Sequence, residues 1–136
     1  MNVLVDTSVW SLALRRARPG PAPIVQELTE LIREGRVVVI GPIRQELLSG
    51  VKSPTQFEAL RERLSAYPDL GLISTDFEDA ARIANRCRAA GIQGSNTDFL
   101  MCTVASRHNL SIYTTDDDFT NFRRVVRFSL HAPRSR

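Results

Sequence analysis

Apolar residues in this chain fall into two alternating rhythms. Short, nearly unbroken runs at 2–5, 37–40, 70–73, 110–113 and 125–128 have the length of strands, and the most β-branched of them suit a sheet buried on both faces. Between them lie longer stretches with apolar positions every three to four residues, the period of a helix with one buried side. The first such stretch carries Val9, Trp10, Leu12, Ala13 and Leu14, with Thr7 or Ser8 as its cap and Pro19-Gly20-Pro21 as its end. The second, over 23–35, puts Ile24, Leu28, Leu31 and Ile32 inward and Glu27, Glu30 and Glu34 outward. Gly41-Pro42 opens a third helix with Ile43, Leu47 and Leu48 on its apolar side.

Ser53-Pro54 starts a helix bearing Phe57, Leu60 and Leu64. From Asp76, Phe77, Ala80, Ala81, Ala84 and Cys87 form one stripe until Gly91, with Glu78 and Asp79 in the first turn. Residues 91–97 read as a polar loop that brings Ser95 and Asn96 close to Asp98. The stretch 98–105 is apolar nearly all round, as a buried helix is, and Asp98 leads it into the core. A short helix runs to Phe122, and 132–136 read as a loose tail. Strands alternating with helices predict one three-layer α/β/α domain over 1–136, built on a parallel sheet of four to five strands.

Composition changes this picture little. At 43% hydrophobic and 24% charged residues the chain has an ordinary globular make-up, and no run approaches the roughly 18 apolar residues of a membrane span. Met1-Asn2-Val3-Leu4-Val5-Asp6 has neither the basic nor the apolar region of a secretory leader, so a cytoplasmic protein is expected. Cys87 and Cys102 match no metal or redox spacing and read as reduced packing residues. His108 and His131 occupy no ligand spacing and read as surface residues. The net charge is +3, and 17 of the 18 basic residues are Arg, whose guanidinium suits bidentate phosphate contact. On charge alone, a solvated basic surface explains this equally well.

The candidate chemistry lies in carboxylates. Asp6 follows the first strand, where α/β sheets place their ligands, and the competing explanation is a helix cap. Glu46, one turn into its helix beside Arg44 and Gln45, by itself suits a solvated position better. Asp98 faces a desolvation cost that helix N–H groups offset only in part. Asp116, Asp117 and Asp118 follow a strand in direct succession, and capping explains one of them but hardly three. A doubly wound sheet gathers all these positions at one edge. Such a set suits hard divalent cations, Mg2+ or Mn2+, and hydrolysis at phosphorus.

The order Asp6, Glu46, Asp98, Thr114-x-Asp116-x-Asp118-Phe119 resembles the PIN-domain ribonucleases, and more closely the VapC toxins of toxin-antitoxin systems. Val5-Asp6-Thr7-Ser8 looks like the family's first motif, and Pro42-Ile43-Arg44-Gln45-Glu46-Leu47 is similar to the segment carrying its glutamate. The resemblance covers essentially the whole chain. It implies a PIN-like fold and an Mg2+- or Mn2+-dependent endoribonuclease acting on structured RNA such as tRNA or rRNA. Asp6, Asp98 and Asp116 would be the metal ligands. Glu46 would complete the catalytic set by binding a second ion or orienting water, with Ser8, Thr114 and Asp118 in support. It further implies a homodimer, a cognate antitoxin that covers the groove, and a heterotetramer or larger assembly with it. Arg15, Arg16 and Arg18, and Arg123, Arg124 and Arg127, are the candidates for offsetting the acids' repulsion of an RNA backbone.

Two other classes remain open. A metal-dependent phosphohydrolase or phosphotransfer domain could use an Asp after a first strand, but Asp6-Thr7-Ser8 lacks a second acid two places on. A non-catalytic RNA- or protein-binding domain would carry the acids as exposed caps that tolerate neutralisation.

Overall fold

A computed structural model describes residues 1–14 and 22–134. Four parallel strands, β1 (Val3–Val5), β2 (Val37–Val38), β3 (Ser111–Tyr113) and β4 (Ser129–Leu130), form one sheet in the order β2-β1-β3-β4. Among the described residues seven helices surround them: α1 (Thr7–Leu14), α2 (Ala22–Arg33), α3 (Gly41–Leu48), α4 (Pro54–Leu64), α5 (Ser74–Ala89), α6 (Asn96–His108) and α7 (Asp118–Phe122). This is the three-layer α/β/α arrangement expected from the alternation of runs. All three residues of β1 are fully buried, which requires cover on both faces of the sheet.

The connection from β1 leads outward to β2 on one side, and the chain then crosses back to β3 on the other. A crevice at the carboxyl ends of β1 and β3 follows from that reversal. The register sets Val5 opposite Tyr113, and the Asp6 N–H donates to the Tyr113 carbonyl at 2.9 Å. Asp6 and Thr114, the next residue on each strand, therefore emerge side by side.

Helix α6 is the central helix, with every residue from Phe99 to Ala105 buried, and α5 packs along it. Its start is fixed by Ser95, whose Oγ accepts the Asp98 N–H at 3.1 Å while Asp98 Oδ2 accepts the Ser95 N–H at 3.0 Å. This reciprocal pair satisfies two of the helix's orphan donors. Both cysteines are free and buried, and burial pushes their thiols up in pKa, so they remain protonated packing groups.

Several expectations fail for identifiable reasons. Residues 70–73 form no strand: Leu70 N–H reaches the Val39 carbonyl at 2.8 Å, but the Ile73 N–H is taken by Asp76 Oδ2 at the start of α5. Residues 125–128 form none either, because the Val125 and Val126 N–H groups both donate to the Phe122 carbonyl, and pairing with β3 begins only at Ser129. Asp76 lies inward, in step with Ala80, Ile83, Ala84 and Cys87. Turning at 100° per residue, the helix then carries Phe77 out to 51% exposure and Ala81 with it. Ile92, in the loop expected to be polar, is core.

The largest reversal concerns Glu27. It shares the inward face of α2 with Leu28 and Leu31 and is fully buried. His131 Nε2 stands 2.6 Å from its carboxylate and Arg134 Nε donates to it at 2.9 Å. Burial alone would push the Glu27 carboxyl up, but Arg134 and His131 outweigh it and hold the pKa below the ordinary value. Arg134 also grips Glu34 with two 2.8 Å bonds, holding that carboxyl down at about 2. The tail through Arg134 is thus pinned, and His131 is a packed ion-pair partner where a surface residue was expected.

Candidate active site

Asp6 ends β1 and its carbonyl accepts the first N–H bonds of α1, from Val9 and Trp10. Its carboxylate is not used as a cap. Oδ2 instead accepts two hydroxyls, Ser8 Oγ at 2.8 Å and Thr114 Oγ1 at 2.7 Å, leaving Oδ1 without a hydrogen-bond partner among the described residues. Ser8 Oγ in turn accepts the Thr115 N–H at 3.1 Å, and Thr114 Oγ1 accepts the Asp116 N–H at 3.0 Å. Two of these four bonds, from the Thr114 hydroxyl to Asp6 and from the Thr115 N–H to Ser8, tie the end of β1 to the end of β3. Neither Thr7 nor Ser8 caps α1, contrary to expectation, because both hydroxyls serve carboxylates.

Thr7 joins these side chains, which the sequence did not disclose. Its Oγ1 donates to Glu46 Oε2 at 2.7 Å, across 39 positions of chain. Glu46 is exposed, as its helix position suggested, yet its direction is set. Arg44, on the other side of α3, donates to the carbonyls of Leu64 and Tyr67 and pairs with Asp69 at 2.9 Å. With α3 anchored there, Glu46 faces α1. Only the adjacency of Thr7 to Asp6 hinted at this.

Asp98 reaches the same region from the start of α6. Burial pushes its carboxyl above the ordinary value, the Ser95 N–H and hydroxyl oppose that, and the negative charges of Asp6 and Asp116 add to it. Asp98 thus feels the charges of both Asp6 and Asp116. Asp116 Oδ1 accepts the Asp118 N–H at 2.9 Å, so Asp116 is the one of the three acids that supports the start of α7. Asp117 and Asp118 are exposed, and no hydrogen bond to the Asp118 carboxylate is seen among the described residues.

Elsewhere most acids have cationic partners: Glu27, Glu30, Glu34, Glu58, Asp69, Asp76 and Asp79 are all ion-paired. Among the described residues Asp6, Glu46, Asp98 and Asp116 have no such partner, and neither do the exposed Glu62, Glu78, Asp117 and Asp118. For Asp6 and Asp98, which are not exposed, this is the pattern expected of carboxylates whose counter-charge comes from outside the chain.

Among the described residues no group of three or more His, Cys, Asp or Glu side chains is placed so that it could by itself hold a metal ion. The donors present still fit a hard cation. They are all oxygens, they carry uncompensated negative charge, and Mg2+ keeps several waters while taking only one or two carboxylates. Of the arginines expected at an RNA surface, Arg123 and Arg124 are exposed just beyond α7, while Arg15, Arg16 and Arg18 lie outside the described residues. No described helix is long and apolar enough to cross a membrane.

The PIN domain family model matches residues 3–125, a span containing all four acids. Among solved structures, the chain is similar to FitAcB from Neisseria gonorrhoeae, with 23% identity over 93% of this chain and 96% of that one and a TM-score of 0.73. It is similar also to VapBC2 from Rickettsia felis bound to a DNA fragment from their promoter, with 18% identity, 96% and 98% coverage and a TM-score of 0.76. A third likeness is to PAE2754 from Pyrobaculum aerophilum, with 15% identity, 96% and 90% coverage and a TM-score of 0.62. At these identities the likenesses concern the fold. A search of curated proteins finds no match.

Proposed function

The chain belongs to the PIN domain family, and we propose that it is a VapC-type toxin, a divalent-metal-dependent endoribonuclease that hydrolyses phosphodiester bonds of structured RNA. The observation that carries this is Asp98. Its carboxyl is pushed up by burial and by the charges of Asp6 and Asp116, with no cation among the described residues to offset them. A protein retains such a cluster at a cost in stability, and a bound cation would repay it.

Asp6, Asp98 and Asp116 would hold Mg2+ or Mn2+. When bound, the ion would supply a water of lowered pKa and neutralise charge developing on the phosphate. The remaining roles belong to the chain itself. Ser8 and Thr114 fix the Asp6 carboxylate from the Oδ2 side, leaving Oδ1 without a hydrogen-bond partner among the described residues and available to the ion. Ser95 holds Asp98 by one oxygen in the same way. Glu46, oriented by Thr7, would accept a proton from an attacking water or contribute to a second ion site.

The partner is proposed to be a cognate antitoxin protein that keeps the nuclease silent, in a cytoplasmic complex built on a homodimer. By analogy with the relative described bound to its promoter DNA, that complex would bind its own promoter. The test is cleavage of cellular RNA by the purified chain, freed of any partner, in Mn2+ or Mg2+. Wild type should cut at few positions, and Asp98→Asn and Asp6→Ala should fold but not cut. A wild type that cuts no RNA, and whose unfolding temperature does not respond to either ion, would sink the proposal. Expression alone should arrest host growth, with relief by a neighbouring small open reading frame.

A further inference from the structure

Charge is unevenly placed in this molecule. Most described arginines are ion-paired to a neighbouring carboxylate, but Arg86, Arg88, Arg123, Arg124 and Arg127 are not, and of the rest only Arg63 shares that condition. The fold brings most of these five to one edge. Arg86 Nη2 donates to the Val125 carbonyl at 2.9 Å, which lays the second half of α5 against the connection between α7 and β4. A carbonyl satisfies one guanidinium N–H but leaves the positive charge whole.

One turn before Arg86, Arg82 shares its face of α5. Together with Asp79, Ser106, Arg107 and Val126 they line an open cleft of about 220 Å3. Arg82 pairs with Asp79 at 2.6 Å, but its side chain is 70% exposed, and such a surface pair is readily exchanged for a phosphate. Arg107 has a different task, since it neutralises the buried Asp76 at 2.9 Å and pairs with Asp79. Arg123, Arg124 and Arg127 are exposed, on the same stretch as the cleft's Val126, which Arg86 holds through Val125.

We propose that the edge formed by Arg82, Arg86, Arg123, Arg124 and Arg127 is a docking track for the phosphate backbone of RNA, distinct from the acid site. This rests on RNA being the substrate. The cleft lies along α6 from Asp98 to Ser106, about 12 Å away at the helical rise, and α7 joins Asp116–Asp118 at one end to Arg123 at the other. A strand seated on the arginines thus reaches the acids within a few nucleotides. The acids repel phosphate, so attraction must come from a surface near them but not among them. Planar guanidinium groups grip phosphate bidentately without reading bases, which gives affinity with little sequence preference.

The test uses the full chain carrying Asp98→Asn, to silence cleavage, and a fluorescein-labelled hairpin RNA titrated over a range of salt concentrations. Adding Arg82→Gln and Arg127→Gln should weaken binding several-fold and lower the slope of log affinity against log salt by about 1.5, close to 0.7–0.9 per lost phosphate contact. The corresponding Lys substitutions should restore most of the slope, and the unfolding midpoint should not move. Unchanged affinity and slope would overturn the proposal. So would poly-glutamate of equal charge binding more tightly than the RNA, which would mark the edge as a seat for an acidic protein. Arginine-dependent binding of the hairpin by a chain whose wild type cuts no RNA would leave the track standing while removing the nuclease assignment.

Discussion

Thr114 Oγ1 donates to Asp6 Oδ2 at 2.7 Å, joining two residues 108 positions apart in the chain. The same hydroxyl oxygen accepts the Asp116 N–H, so one side chain orients two acids. Thr114→Val keeps the shape and removes both bonds. Partners of this kind usually matter 10–100-fold for metal affinity or activity, so RNA cleavage should fall by about that factor while stability changes by about 1 kcal/mol. Equal cleavage by wild type and variant would show that the hydroxyl has no orienting role.

Asp98→Asn removes one of three mutually repelling charges and keeps a side-chain oxygen for the Ser95 N–H. Without metal the variant should be as stable as wild type or more so. Added Mn2+ should raise the wild-type unfolding temperature and leave that of the variant nearly unchanged, because only ligands bound to the folded state stabilise it. Thermal unfolding with and without the ion measures both. A clear metal-free loss of stability would mean that Asp98 serves α6 more than the site.

Glu27→Ala leaves His131 and Arg134 facing a buried gap. Breaking a buried ion pair at one partner costs about 3 kcal/mol or more, readable as a lower urea midpoint. The pH dependence has a definite sign. The folded-state pKa of Glu27 lies below its unfolded value, as does that of Glu34, so their contribution is present above the unfolded value near 4.5 and is lost as pH falls through the folded values. Wild type should therefore lose stability on acidification below about pH 4.5 more steeply than Glu27→Ala, as urea midpoints at several pH values will show.

Gly94 sits where a Cβ would lie 2.8 Å from Phe122 Cζ and 2.9 Å from Phe99 Cζ. Those rings pack edge to face and are themselves buried, so they have little room to yield. Gly94→Ala should cost about 1–3 kcal/mol by overpacking. Because Ser95 and Asp98 follow directly, metal response should weaken as well. An unperturbed melting curve would refute this.

Much of the fold was legible because its signals are local. The burial of β1 follows from an unbroken apolar run, and that of α6 from seven consecutive buried positions led by one acid. Residues 70–73 and 125–128 have the apolar content of strands, but the N–H groups of Ile73, Val125 and Val126 are committed to adjacent helix ends, which hydropathy does not record. Glu27 was misread because the partners that make its burial tolerable arrive about 100 residues later, at His131 and Arg134.

The four acids show the same division. Sequence alone determined that carboxylates follow the inferred strands or begin the helices beside them, because strand ends and caps are properties of a few adjacent residues. It could not determine that Asp6 would be gripped by Thr114, that Thr7 would hold Glu46, or that Asp98 would feel Asp6 and Asp116. Those relationships exist only after parallel pairing sets Val5 against Tyr113 and α6 packs beneath the sheet edge. Hydrogen bonds and charge repulsion act over a few ångströms in space, whatever the separation along the chain, so tertiary structure alone decides which acids share a field and which hydroxyls aim them.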